Sequence, residues 1–366
     1  MKSIPSPLRP ALLSVVALAL TLVLASSAAY GQAMPAAPAP QNPSARGPVP
    51  SGNLVPVAPS APADPLPAAN PKLFTASSPT LDTVNSFLHT VWGYDSNRLY
   101  RVMAIEPTAA PGVSRIVVFV TSKQPGAKVE GTTFYVTPDG KHAIGEGSGV
   151  VSFGAAPFAD TRDLLRARAD GASRGAPSKD FELVEFADLQ CPHCKEAQPI
   201  MDQLAHDFPK AHIVFQLFPL IDIHPSAFKA AAFGVCVQEQ SNDAFFQFAD
   251  AVFDTQDGLT PATDDTLLKA AVTRAGLDPA KIADCAGNPT TIVQVNAEIK
   301  LAEAANVTET PTLFVNGRPL PVTGVPYDTL KTLIQYQATL DGVDSGATAE
   351  TLAPHPTPPT LENLPK

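Results

Sequence analysis

Phe181-Glu182-Leu183-Val184-Glu185-Phe186 leads into Cys191-Pro192-His193-Cys194, and Thr310-Pro311-Thr312-Leu313-Phe314-Val315-Asn316-Gly317 lies far downstream. The first run reads as a buried strand that delivers a C-x-x-C to the start of a helix. That placement puts the Cys191 sulfur beside the unpaired N–H groups of a helix N-terminus, where the helix dipole favours an anion. The thiolate is the reactive form of cysteine. Pro192 suits the first helical turn, where a missing N–H costs little. Cys194, one turn further in and turned toward the sheet, is expected to be the more buried thiol with the higher pKa. Cys191 would then attack, and Cys194 would resolve the mixed disulfide. His193 reads as a residue that donates to, or electrostatically supports, the Cys191 thiolate, with an exposed helix-start residue as the alternative.

Strand, Cys-Pro-His-Cys, helix and a late Thr-Pro before a second strand together resemble the thioredoxin superfamily, in particular its periplasmic Dsb branch, over roughly residues 178–340. Cys-Pro-His-Cys is similar to the DsbA-like oxidases. Thr310 before Pro311 is more like the DsbC- and DsbG-like isomerases. The resemblance implies a cis Thr310-Pro311 bond beside the cysteines, in a loop that offers backbone groups to a bound peptide as an added strand. It also implies that Glu185, which matches a family carboxylate on the strand before the motif, assists proton transfer to Cys194. A strand-end solvating carboxylate is the plainer alternative for Glu185.

The chain has 366 residues, a formal net charge of −10 and 39 prolines. Its charges form no long blocks and no basic cluster with aromatics, which disfavours nucleic-acid binding. Residues 1–33 carry Lys2 and Arg9, then the apolar run from Ala11 to Ala25 and small residues near Gly31, and read as a secretory signal peptide. Residues 34–71 and 343–366 are rich in Ala, Pro, Ser and Thr without apolar periodicity and read as a disordered linker and tail. The protein is therefore expected to be periplasmic or otherwise extracytoplasmic. In that oxidising setting the four cysteines permit two pairs. Cys236 and Cys285, each on its own expected helix, are the candidate structural disulfide, with two buried free thiols as the alternative. No second C-x-x-C or H-x3-5-H stands at ligand spacing, so no metal is expected. Disulfide exchange needs no cofactor, and none is expected.

The folded part reads as α/β: a thioredoxin fold with an inserted helical lobe, preceded by a small α+β domain. Residues 72–157 form the small domain, with a helix over residues 80–91, strands over 115–121 and 132–137, and a turn at Pro138-Asp139-Gly140. Residues 158–177 form a helical linker and residues 178–342 the thioredoxin domain. The insertion, about residues 222–305, carries helix-like spacing over 225–238, 242–253, 264–275 and 279–286; His224 is read as opening a helix and given no chemistry. The stretch from Phe134 through Gly140 to the linker helix is similar to the lead-in of DsbC-like isomerases, whose N-terminal domain dimerises. That is compatible with a homodimer through this domain or with a monomeric accessory domain.

The expected activity is thiol–disulfide exchange with exported proteins carrying free thiols or disulfides, most often as a dithiol oxidase. A membrane-bound or soluble redox partner would reset the site. The alternatives are a DsbC/DsbG-type isomerase or reductase, a peptide-binding chaperone without redox turnover, and a metal-handling protein.

Overall fold

The computed structural model describes residues 64–145 and 149–347. The expected signal peptide, residues 1–33, lies outside them, as does most of the expected linker and tail.

The N-terminal half is a helix on a sheet. Thr80 caps the helix α1 (Leu81–Trp92) by accepting from the Thr83 N–H, satisfying one of its free donors. Leu81, Val84, Phe87 and Leu88 recur at helical spacing and pack on Val102, Ile116, Val118, Phe134 and Val136. Those residues line one face of an antiparallel meander formed by β1 (Arg98–Pro107), β2 (Ser114–Ser122), β3 (Glu130–Val136), β4 (His142–Gly145) and β5 (Gly149–Ser152), in that spatial order. Gly140, at positive φ, closes the β3–β4 turn.

After the helix α2 (Ala159–Arg168), a second five-stranded sheet contains β6 (Ala172–Gly175), β7 (Glu182–Ala187), β8 (His212–Leu217), β9 (Thr312–Val315) and β10 (Arg318–Pro321), in the order β10-β9-β7-β8-β6. The parallel pair β7 and β8 is joined through α3 (Pro192–Asp207), the crossover that a parallel pair requires. The central strand β7 is buried on both faces, which is why it reads as an apolar run and not as an alternation. Leu183 packs on Met201, Leu204 and Ile334 on one side, while Val184 and Phe186 pack on Leu165, Leu301 and Ala302 on the other. The strand period of two therefore puts Glu185 on the side facing α3.

Between β8 and β9 stand α4 (Ala227–Gln238), α5 (Asn242–Thr255), α6 (Asp264–Arg274), α7 (Pro279–Ala286) and α8 (Pro289–Ala304); α9 (Tyr327–Leu340) follows β10. This is the α/β thioredoxin fold with a helical insertion expected from the sequence. The helix α8 was not anticipated. Its inward residues, Thr291, Val295, Leu301 and Ala302, are interrupted by outward Ile292 and Val293, which blurs the periodicity.

Three expected boundaries are corrected. The thioredoxin sheet begins before residue 178, because β6 pairs antiparallel with β8 from Ala172↔Phe215 to Gly175↔His212 inside the segment read as a helical linker. One apolar residue in four gave no strand pattern; backbone pairing holds it, at a spot where a Cβ on Gly171 would meet the Phe215 carbonyl at 2.2 Å. The linker read as ending at residue 71 is already seated earlier: Leu66 and Ala69 are buried, and Arg101 donates to the carbonyls of Leu66 and Pro67 at 2.8 Å each. The tail read as starting at 343 still packs, with Val343 and Ala347 against the α3–α9 core and Asp344 paired with Lys210.

Candidate functional site

Cys191 is the N-cap of α3, with extended backbone angles, and Pro192 occupies the first helical position. The residue is 4% exposed, and its sulfur lies 3.5 Å from the Thr310 carbonyl, to which the thiol donates. Cys194, one turn along, is fully buried. The Thr310-Pro311 bond is cis. The structure thus brings Cys191, Cys194, Thr310 and Pro311 together across 119 residues of sequence. A cleft of about 370 Å³ opens beside them, lined by His193, Thr310, Pro311, Leu320 and Val322 among others.

The two thiols are electrostatically unequal. Cys191 is held down to about 5, first by the hydrogen bond from the Cys194 thiol, then by Thr310 and by the N–H groups of Cys194 and His193 at the helix start, all against the cost of burial. Cys194 is pushed up, first by burial and then by its neighbour Cys191; the Glu185 carboxylate adds to the rise. The Thr310 hydroxyl is buried and makes no hydrogen bond of ordinary geometry, so it stands available as a donor to a charged Cys191 sulfur.

Glu185 is buried on the α3 side of β7 and accepts a hydrogen bond from Gln198 Nε2 at 3.2 Å. Burial raises its carboxyl to about 7. A carboxyl in that range can both take and return a proton near neutral pH.

His193 stands exposed at the start of the helix. Its imidazole is 67% exposed and pairs through Nδ1 with the Glu196 carboxylate at 3.0 Å, which raises its pKa. A carboxylate three residues on, along the same helical face, outcompetes a buried sulfur for the ring. His193 also gives Cys191 its main-chain N–H, and the Cys191 charge is among the lesser causes of the raised imidazole pKa.

Cys236, on α4, and Cys285, on α7, form a disulfide with Cα atoms 6.0 Å apart. Among the described residues, the cluster of donors near enough to share a metal ion is Cys236, Glu239 and Cys285, and its two sulfurs are already bonded to each other.

Several residues that shape the site carried no sequence signal. Gln256 donates to the carbonyls of Leu189 and Cys191 at 3.2 and 2.9 Å, and Gln190 accepts from the Ser226 N–H at 2.8 Å and donates to the Leu259 carbonyl at 2.9 Å. These bonds clamp the cysteine loop onto the helical lobe. Asp188 is buried and binds His224 through its carboxylate. A polar residue amid Phe186-Ala187 and Leu189 was the available clue to Asp188; its partner, 36 positions away, left none.

The sequence model of the thioredoxin family matches residues 168–338, and the domain those residues build belongs to that superfamily. Curated relatives include the Na(+)/H(+) antiporter NhaA 3 of Salinispora tropica, 33% identical over 145 residues, which are 40% of this chain and 21% of that protein. Another is the Na(+)/H(+) antiporter NhaA 1 of Mycolicibacterium vanbaalenii, 34% identical over 164 residues, 44% of this chain and 24% of the relative. The chain thus spans under a quarter of the length of these relatives. Similar solved structures include BdbD from Bacillus subtilis, 21% identical with a TM-score of 0.42, covering 48% of this chain and 95% of that one. The thiol-disulfide exchange protein alpha-DsbA2 from Wolbachia pipientis is 22% identical with a TM-score of 0.42, over 50% and 97% respectively.

Proposed function

We propose that this protein is an exported thiol–disulfide oxidoreductase that exchanges disulfides with exported proteins through Cys191 and Cys194, working as a dithiol oxidase. The observation that carries the reading is the Cys191 sulfur at the N-terminus of α3, held down to about 5 and facing the cis Thr310-Pro311 bond. In the oxidising direction the Cys191–Cys194 disulfide is attacked at Cys191 by a substrate thiolate. The Cys191–Cys194 bond breaks, a Cys191–substrate bond forms, and Cys194 leaves with the electron pair and takes up a proton. A second substrate thiolate then releases Cys191 as the stabilised thiolate. Glu185 is the group that exchanges the Cys194 proton. The cleft along Thr310, Pro311 and Leu320 receives the substrate backbone. A separate redox partner reoxidises the pair, and the N-terminal domain either dimerises or serves as an accessory unit.

The thiolate argument has a size. At pH 7 a pKa of about 5 in place of 9.0 favours the reduced form about a hundredfold, about 3 kcal/mol, or on the order of 60 mV toward a stronger oxidant. That is a substantial part of the roughly 150 mV between a thioredoxin-like and a DsbA-like potential. A second reading, isomerase or reductase, rests on Thr310 before Pro311, which is more like the DsbC- and DsbG-like isomerases; the Thr310 hydroxyl itself helps to lower Cys191 and so adds to the oxidising side. Ion transport is not proposed, because the match reaches only 21% of the antiporter relative.

The test is the equilibrium reduction potential of Cys191/Cys194 in purified protein, titrated against glutathione with the Cys236–Cys285 bond intact. The expected value lies near about −120 mV. A value near about −180 mV favours the isomerase, and one near about −270 mV replaces the oxidase reading with a reductase.

A further inference from the structure

Asp188 touches both cysteines through its backbone. Its N–H donates to Cys194 Sγ at 3.3 Å and its carbonyl accepts the Cys191 N–H at 3.0 Å. The two bonds come from the two peptide units that flank the Asp188 Cα, so both depend on the backbone orientation at this one residue, and the side chain fixes it. The carboxylate is fully buried and takes three short hydrogen bonds: from the Gln190 N–H at 2.7 Å to Oδ1, and from the Leu220 N–H at 2.8 Å and His224 Nδ1 at 2.7 Å to Oδ2. Two of those donors are backbone groups that any sequence would supply. The third is His224, placed at the mouth of the helical lobe just before α4, with 16% of its side chain exposed. A carboxylate buried to this degree stays in place only while its donors are matched.

We propose that Asp188 and His224 are a positioning pair for the resolving cysteine, holding the Asp188 N–H on Cys194 Sγ so that the sulfur can carry negative charge when it attacks or leaves. The inference rests on the exchange reading given above. In the resolution step the Cys194 thiolate attacks Cys191 Sγ, the Cys191–Cys194 bond forms, the bond from Cys191 to the partner sulfur breaks, and the partner departs as a thiolate that takes a proton from solvent. Cys194 is otherwise a poor thiolate, because burial and its neighbour oppose the charge. An N–H fixed at the sulfur before charge develops lowers the barrier without reorganisation at the moment of reaction. Cys191 draws its own stabilisation from Cys194, Thr310 and the helix-start N–H groups, not from Asp188. The pair is therefore expected to govern one thiol and spare the other.

Two readouts separate this role from a merely structural one. Reduced protein is mixed with oxidised glutathione and acid-quenched, and the lifetime of the Cys191–glutathione mixed disulfide is read by mass. In a Cys194→Ser background the Cys191 thiolate is titrated by its ultraviolet absorbance. His224→Leu is expected to lengthen the mixed-disulfide lifetime about tenfold, about 1.4 kcal/mol at the barrier, and to leave the Cys191 midpoint in place. His224→Asn, which sets an amide N–H where Nδ1 stands, is expected to restore resolution to within about threefold of the natural protein. Should His224→Leu fail to fold, His224→Gln takes its place, since its amide reaches the Nε2 position and withholds the third donor from Asp188. Wild-type resolution in the Leu or Gln variant overturns the inference, as does a joint shift of both readouts that Asn does not reverse. If the natural protein forms no mixed disulfide, the exchange reading itself is overturned and this inference goes with it.

Discussion

Glu185 is the residue at which burial and chemistry pull against each other. Its carboxyl lies inside the sheet–helix core with Gln198 as its hydrogen-bond donor, and burial raises it from 4.5 to about 7. The folded state thus binds this proton more tightly than the unfolded state does. Stability falls as pH rises from about 4.5 to about 7, and above that range the ionised group costs about 3 kcal/mol at 1.36 kcal/mol per pH unit. Glu185→Gln is therefore expected to stabilise the protein by up to about 3 kcal/mol at pH 8 and to change little at pH 4, as measured by urea unfolding at both pH values. The same variant is expected to slow disulfide exchange at neutral pH, since an amide cannot take the Cys194 proton. Equal stability of the two proteins at pH 8 would remove Glu185 from the role of a buried, near-neutral base. At this scale the sequence was informative where the chemistry is local. Cys191, Pro192 and Cys194 are read from one tetrapeptide at a helix start. The pairing of the His193 imidazole with Glu196 was not legible, because a carboxylate three residues on is invisible to a motif read only between its cysteines.

Helices and strands show a different limit. Strong periodicity gave α1 and α4 to α7 to within a few residues, and an apolar run gave β7. The strand β6 and the helix α8 escaped, because their stability comes from pairing with β8 and from packing onto the sheet's buried face, not from a local pattern. In the helical lobe the elements are held by a covalent bond as well as by packing. The disulfide between α4 and α7 spans 49 residues of sequence, and closing a loop of that length contributes on the order of 4 kcal/mol in the chain-entropy account. Replacing Cys236 and Cys285 together by Ala is expected to lower unfolding stability by about 2 to 4 kcal/mol. The lobe reaches the reactive loop through Gln256, Gln190, Ser226 and His224, and Cys236 and Cys285 take part in none of these bonds, so the potential of Cys191/Cys194 should move by less than about 30 mV. Chemical denaturation and a glutathione titration of the double variant check both halves. A large change in potential with unchanged stability would make the second disulfide a redox element and not a brace.

At the largest scale, a buried cation joins the element that covers the first sheet to the edge of the second. Arg318 opens β10, yet the residue is 5% exposed and its guanidinium donates to the carbonyls of Thr90 and Val91 at 3.0 Å each, at the C-terminal end of α1. It also lies over the rings of Tyr94 and Phe158, with its central carbon 5.9 and 5.6 Å from their centroids. A cation at a helix C-terminus complements the dipole, and a planar fork satisfies two last-turn carbonyls at once. Tyr336, from α9, adds a hydrogen bond to the His89 carbonyl at 2.6 Å. Nothing near Arg318 in the sequence indicates this joint, because its partners lie 227 and 228 positions earlier. The joint couples the unfolding of the N-terminal sheet to that of the thioredoxin sheet. Arg318→Ala leaves two part-buried carbonyls without this donor, and is expected to cost about 3 kcal/mol and to split one calorimetric transition into two. Arg318→Lys, a single ammonium without a fork, is expected to fall between the natural protein and the Ala variant. A single transition at the natural midpoint in the Ala variant would show that the two sheets are coupled by other contacts.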